Sequence, residues 1–190
     1  MTVHELRISL DEIEPEIWRR VQVPSNLNLA QLHRVIQTVM PWQDSHLHEF
    51  TIAGVRYGID DGESFDAPPR DERRTRLAGL ANAGDVLVYT YDFGDGWDHT
   101  IAVLAVQPAD PFGSYPVCLF GARACPPEDV GGSHGYEEFL DAITDPDNEE
   151  HVSYLEWVGG SFEPEKFDVH GTNVRLGQLS FGRPSTRRRR

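Results

Sequence analysis

Cysteine is scarce in this sequence, with only Cys118 and Cys125 among 190 residues. Two cysteines are too few for a disulfide framework in a chain whose apolar content can form a core. Their separation of seven positions also differs from the C-x-x-C spacing of zinc ribbons and redox pairs. We therefore expect two reduced, buried thiols.

Long apolar runs are missing from the first thirty residues, because charged and apolar positions alternate along them. A signal peptide needs an apolar stretch of about 7–15 residues, and a membrane helix needs one of about 20. The sequence thus predicts a cytoplasmic protein that has no membrane segment.

Basic residues are outnumbered by acidic ones, 17 to 31, and four of the 17 are the arginines at positions 187–190. Without those four, the net charge of the chain is −18. Affinity for nucleic acids depends on Lys and Arg that displace counterions from phosphates. Nucleic-acid binding is therefore not expected of the acidic body, and remains open only for a disordered basic tail, residues 183–190.

The apolar residues present are sufficient for a folded core, at 39% of the chain with 10% aromatic residues. A chain of this length usually forms one domain. We expect a single domain over residues 1–182. Its core is predicted at 1–107, followed by an extension of loops and helices at 108–182.

Periodicity predicts an α+β fold. Apolar residues alternate with period two in residues 3–10 and 16–23, and strand patterns recur at 46–52, at 55–59 and from Val86. Between them, an apolar stripe over 29–39 predicts a helix capped by Ser25 or Asn26. This order suggests a β-grasp-like mixed sheet, made of two N-terminal strands, a helix and hairpins. Further helices are predicted after Ser133, Asp147 and Asp168, packed on the sheet.

The segment from position 89 to 99, Y-T-Y-D-F-G-D-G-W-D-H, concentrates residues that carry chemistry. Asp95-Gly96 favours a two-residue type I′ turn, which would place Asp92 opposite His99. Such a pair is a candidate catalytic acid-base pair or a pair of metal ligands, or else only a cross-strand charge pair. A three-residue loop would instead oppose Asp92 to Asp98.

Two further histidines, His46 and His48, occur in an H-L-H segment of a predicted strand. Residues two apart on a strand share a face, so the two imidazoles are candidate ligands of Zn²⁺, or alternatively hydrogen-bonded rings at a strand edge. If this strand neighbours the hairpin, His46, His48, Asp92 and His99 could converge. No other cofactor is predicted. Glu128 and Asp129 are interpreted as an acidic first turn of a helix.

Aromatic residues of the same hairpin form a candidate interaction surface for a protein partner. These residues are Tyr89, Tyr91, Phe93 and Trp97. Aromatic side chains are enriched in protein interfaces, but they fill cores equally well. The pattern therefore predicts either a partner surface or a part of the core.

Four segments together resemble one family: P-E-I-W-R-R-V-Q-V-P at 15–24, W-Q-D-S-H-L-H-E-F at 42–50, Y-D-F-G-D-G-W-D-H at 91–99, and C-P-P-E-D-V-G-G at 125–132. They are similar to the plasmid pRiA4b open-reading-frame-3-like family. The resemblance implies an association with plasmids and mobile elements, where some members are named as TnpR-type passengers of insertion sequences. It implies no catalytic residues.

These observations lead to one function hypothesis and two alternatives. The first is a module that binds a protein partner without catalysis, since the sequence shows no complete catalytic set. The second is a metal-dependent or acid-base enzyme centred on Asp92 and His99, with His46 and His48. The third is an accessory protein of a mobile element that contacts nucleic acid through its arginine tail.

Overall fold

The computed structural model describes residues 1–60, 62 and 67–181. The predicted basic tail, 183–190, lies outside the described residues. Within the described part of the chain, the strands are β1 (Thr2–Leu10), β2 (Ile17–Pro24), β3 (His48–Ile52), β4 (Val55–Gly58), β5 (Arg70–Asp71), β6 (Val86–Tyr91), β7 (Trp97–Pro108) and β8 (Val117–Ala122). The helices are α1 (Leu29–Val39), α2 (Gly132–Thr144), α3 (His151–Trp157) and α4 (Val169–Gly177).

The eight described strands form one mixed sheet in the order β5-β4-β3-β6-β7-β1-β2-β8. Neighbouring strands are antiparallel, apart from the short parallel pair β4 and β5. This arrangement confirms the predicted α+β fold. It does not confirm the β-grasp label. The sheet also includes β8, which lies in a proline-punctuated segment whose sequence predicts a loop.

Helix α1 covers the core as its apolar stripe predicted. Its inward residues join the inward side chains of the strands in one hydrophobic cluster, and those of α1 are Leu29, Leu32, Val35, Ile36 and Val39. The helix begins later than expected, because Asn28 is its cap rather than Ser25 or Asn26. The Asn28 side chain accepts a hydrogen bond from the Gln31 amide while the Gln31 side chain accepts one from the Asn28 amide. This reciprocal pair satisfies two backbone donors.

The three later helices begin close to their predicted starts. Gly131 precedes α2 in place of the predicted Ser133 cap, and α3 begins at His151 instead of after Asp147. Helix α4 begins directly after Asp168 as predicted, and the Asp168 side chain caps it by accepting a hydrogen bond from the Gly171 amide. Among the described residues, no helix has both the length and the apolar composition needed to cross a bilayer.

A buried arginine ties the sheet to the end of α1. Arg19 on β2 is fully buried. Its guanidinium donates hydrogen bonds to the carbonyl oxygens of Val39, Trp18, Ala122 and Arg123. These bonds hold the end of α1 and the end of β8 against β2. The chain then continues from α1 into the 42–46 segment, which carries part of the candidate site.

Candidate metal centre

The β6–β7 hairpin has a longer loop than predicted. Tyr91 pairs with Trp97 and Tyr89 pairs with His99, so residues 92–96 form the loop. The predicted pairing of Asp92 with His99 is therefore wrong, and so is its alternative with Asp98. Asp92 adopts a left-handed backbone with φ of 57°. Its Oδ1 accepts hydrogen bonds from the amides of Gly94 and Asp95, a local turn that competes with the ladder.

The four residues that the sequence offered as one possible centre are divided among three environments. His46 lies beside Asp92, whereas His48 contacts Glu72 and His33. His99 lies in the core, opposite Tyr89. The hypothesis of one centre that combines all four residues is therefore wrong, although its pair His46 and Asp92 is retained.

His99 is fully buried and has no carboxylate partner among the described residues. Its Nδ1 lies 3.0 Å from the carbonyl oxygen of Trp97 and 3.2 Å from that of Tyr89. Its Nε2 is buried without a hydrogen-bond partner in the described part of the chain. Burial lowers the pKa of His99 to about 4. The ring is thus a neutral core imidazole, not an oriented base.

His33 and His48 form a stacked pair inside the protein, with ring centroids 3.5 Å apart and planes 5° from parallel. The His33 nitrogens lie 2.9 Å from Tyr89 Oη and 2.7 Å from Asp44 Oδ1. His48 Nε2 lies 2.9 Å from Glu72 Oε2. Burial and the neighbouring His48 lower the pKa of His33 to about 4.

Although His33, Asp44 and His48 are close enough to share a cation, their geometry is better explained by hydrogen bonds. A cation bonds to an imidazole nitrogen in the plane of the ring, at about 2.0–2.1 Å for Zn²⁺. Between parallel rings 3.5 Å apart, a shared cation would lie far out of both planes. Both nitrogens of His33 also already have partners. This pair is therefore a satisfied buried network.

His46, Asp92 and Asp129 form the second close group of potential ligands. His46 Nε2 lies 3.0 Å from Asp129 Oδ1 and 3.6 Å from Asp92 Oδ2. The His46 Nε2 atom is shielded from solvent and lies within ion-pair distance of both carboxylates, yet it forms no hydrogen bond among the described residues. Two carboxylates thus face an imidazole nitrogen that forms no hydrogen bond among the described residues.

Glycine residues hold together the 92–96 loop, which carries Asp92, and the 128–132 loop, which carries Asp129. The Gly131 amide donates to Asp95 Oδ2 at 3.1 Å. Gly132 lies so close to the 92–96 loop that a Cβ atom on it would be 2.5 Å from the Asp95 carbonyl oxygen. Asp129 itself adopts a left-handed backbone with φ of 60°. Close glycine packing therefore brings Asp129 to His46 and Asp92.

Hydrogen bonds to Glu128 also position the 128–132 loop. Tyr91 Oη donates to Glu128 Oε1, and the Gln43 amide donates to Glu128 Oε2 at 2.9 Å. Burial and the Glu128 carboxylate raise the pKa of Tyr91, so the phenol remains a donor. Trp42 stacks on Tyr91 at 5.0 Å and donates to the Pro126 carbonyl. The Glu128 side chain therefore joins the loop to the segment that carries His46.

The predicted aromatic interaction surface is largely interior. Tyr89 and Tyr91 are fully buried and Trp97 is 3% exposed, because all three point toward α1 and the core. Phe93 is the exception, with 56% of its surface exposed in the loop. The assignment of Tyr89, Tyr91 and Trp97 to a surface is therefore wrong. Protein binding stays a prediction, and of the four aromatic residues only Phe93 is exposed enough to contribute to it.

Both cysteines are free and buried, as predicted. Burial raises the pKa of Cys118 to about 11 and that of Cys125 to about 12. Neither thiol is therefore a thiolate nucleophile near neutral pH.

Asp129 is a site residue that the sequence pattern does not predict. The pattern indicates that Glu128 and Asp129 start a helix, but the two residues form a turn and α2 begins only at Gly132. The available signal was the Gly131-Gly132 pair that follows, which permits positive φ angles and close loop contacts.

Three of the four segments used for the family resemblance meet at this site, namely 42–50, 91–99 and 125–132. The chain matches the family model described as plasmid pRiA4b ORF-3-like protein over residues 2–171. It is 42% identical over 161 residues to the uncharacterized protein y4hQ of Sinorhizobium fredii, which covers 84% of this chain and 82% of the relative.

A solved structure shares the fold. The crystal structure of a protein of unknown function, MM3350 from Methanosarcina mazei Go1, matches with a TM-score of 0.80 and 39% identity, covering 88% of this chain and 94% of that one. Neither relative's name states a ligand, and the link to TnpR-type passengers of insertion sequences stays a prediction. The chain belongs to the plasmid pRiA4b ORF-3-like protein family.

Proposed function

We propose that this protein binds one divalent metal cation through His46, Asp92 and Asp129. The observation that carries the proposal is the buried, unpartnered Nε2 of His46 beside two carboxylate oxygens. A buried polar atom without a partner is costly, and a cation at this point would satisfy it.

The distances support a shared cation. In a tetrahedral site with bonds of about 2.0–2.1 Å, neighbouring ligand atoms are roughly 3.3 Å apart. The two separations from His46 Nε2, 3.0 and 3.6 Å, lie on either side of that value. Two carboxylates also match the charge of a divalent cation, which offsets their mutual repulsion.

Three protein ligands leave at least one coordination position open, which is typical of catalytic rather than structural metal sites. In such a site the cation polarises a bound water or a substrate oxygen. Imidazole and carboxylate ligands suit Zn²⁺ and Mn²⁺. The proposal is favoured over a module that binds protein through the aromatic hairpin, because three of that surface's four residues are buried.

Metal titration of untagged protein tests the proposal. After chelation and dialysis, we expect one equivalent of Zn²⁺ or Mn²⁺ to bind per chain in isothermal titration calorimetry. His46→Gln and Asp129→Asn should each weaken the affinity at least about tenfold, because each removes a ligand. Asn tolerates the left-handed backbone at position 129, so this variant removes the charge with little strain.

Two control variants match these changes at exposed positions. His134→Gln and Asp141→Asn on α2 alter the same residue types away from the site, and they should bind metal as the unmodified protein does. Failure to bind a stoichiometric cation, or equal affinity in the site variants and the controls, would refute the proposal.

A further inference from the structure

Trp157 lies between two adjoining cavities on the side of Asp129 that faces α3. The first has a volume of about 410 Å³, and Trp42, Glu128 and Phe162 are among the residues that line it. The second has a volume of about 360 Å³ and includes Glu150 and Tyr154 in its wall. Asp129 and Trp157 line both cavities. The two cavities therefore form one continuous surface around Trp157, called here the Trp157 groove.

The groove combines aromatic rings with carboxylates. Its aromatic residues are Trp42, Tyr154, Trp157 and Phe162, and its acidic residues are Glu128, Asp129 and Glu150. Among the described residues, no Lys, Arg or His lines either cavity. A ligand in the groove therefore meets negative charge and aromatic faces, the combination that attracts organic cations.

The Trp157 side chain is half exposed and packs against two neighbouring aromatic rings. The side chain is 47% exposed, although it carries a large apolar surface. Its ring is braced by Phe139 and Tyr154, with centroids 6.0 and 6.1 Å away. A braced, half-exposed indole gives an ammonium group a preformed surface, so little side-chain entropy is lost on binding.

The three carboxylates of the groove differ in how far they are already engaged. Glu128 accepts hydrogen bonds from Tyr91 and from the Gln43 amide. For Glu150, no described residue donates to its side chain, and Asp129 is 70% exposed at its side chain. The net charge of −14 further draws cations toward the surface.

We propose that the Trp157 groove binds a linear polyamine. One ammonium group lies near Asp129 in the first cavity and another lies near Glu150 in the second, with the methylene chain between them packed on the indole of Trp157. A ligand with two separated positive charges fits because each cavity offers a carboxylate and Trp157 connects them. This site goes beyond the proposed metal site and shares only Asp129 with it.

Calorimetric titration with spermidine at constant ionic strength tests the site, together with the change in tryptophan fluorescence. Trp157→Ala should weaken binding about tenfold, because it removes the cation–π surface, while Trp157→Phe should retain most of the affinity. Glu150→Gln should weaken binding about threefold. Phe112→Ala and Glu149→Gln, exposed residues outside both cavities, should leave it unchanged.

The metal site and the groove can be separated experimentally. His46→Gln should weaken metal binding and leave spermidine affinity intact, whereas Trp157→Ala should weaken spermidine binding and leave metal affinity intact. Since Asp129 serves both ligands, saturating Mn²⁺ should weaken spermidine binding severalfold, and spermidine should weaken Mn²⁺ binding by the same factor. No heat with millimolar spermidine, or equal affinity in Trp157→Ala and Phe112→Ala, would overturn the polyamine site while leaving the metal site standing.

Discussion

His99 lies directly opposite Tyr89 in the β6–β7 ladder, and its Nδ1 atom is 3.2 Å from the Tyr89 carbonyl oxygen. The imidazole is packed against the rings of Tyr89 and Trp42. The charged groups that act on it are Asp98, which favours its protonation, and Arg19, which opposes it. Burial is the larger effect and keeps the ring neutral.

This neutral ring predicts a loss of stability in acid. The pKa of His99 falls from 6.5 to about 4 on folding, so only the unfolded chain binds a proton between these values. The free energy of unfolding should therefore decrease as the pH falls from 6.5 to 4, by up to about 3 kcal/mol from this group.

His99→Phe isolates that contribution. Urea denaturation at several pH values should show a shallower decline for this variant than for the unmodified protein, because Phe binds no proton. His134→Gln, a change at an exposed histidine, should keep the original slope. Parallel curves for His99→Phe and the unmodified protein would contradict the prediction.

The close contact between Gly132 and the 92–96 loop predicts that loop packing affects metal affinity. The φ of Gly132 is 72°, and an added Cβ would lie 2.5 Å from the Asp95 carbonyl oxygen. Gly132→Ala should therefore separate the 92–96 and 128–132 loops, lower the free energy of unfolding by about 1–3 kcal/mol and weaken metal binding.

Gly177→Ala is the matched control, because nothing lies within 4 Å of a Cβ at that position and its φ is negative. Urea denaturation and metal titration measure both variants. Unchanged metal affinity in Gly132→Ala would show that glycine packing does not hold Asp129 in place.

Replacement of Arg19 should lower the free energy of unfolding by a large amount, although Arg19 forms no salt bridge among the described residues. Arg19→Leu removes four hydrogen bonds to backbone carbonyls at a fully buried position. The free energy of unfolding should fall by at least about 3 kcal/mol. Arg76→Leu, at an exposed arginine that donates to one carbonyl, should cost less than about 1 kcal/mol. Equal losses from the two changes in urea denaturation would contradict this account.

The proposed cation predicts stabilisation that depends on its ligands. A cation present at 100 times its dissociation constant should raise the free energy of unfolding by about 2.7 kcal/mol, because it binds only the folded chain. Thermal denaturation should therefore show a higher Tm with Mn²⁺ than with a chelator. In His46→Gln this difference should disappear.

Local patterns were sufficient for most of the secondary structure. The stripe of α1 and the alternation of β1 and β2 are each determined by which side chains must face one core, and this periodicity is visible in the sequence. β8 was missed because Gly121 and the surrounding prolines weaken its alternation. Its place in the sheet comes from pairing with β2, which only the tertiary structure provides.

The candidate site was only half predictable. His46 and Asp92 were recognised as ligand types, but the turn at Asp95-Gly96 was overruled by hydrogen bonds that the Asp92 carboxylate accepts from the amides of Gly94 and Asp95. The sequence by itself thus determined the family, the fold class and the acidic character of the chain. Tertiary structure alone decided that Asp129 meets His46, because that contact depends on how closely two loops approach at Gly132.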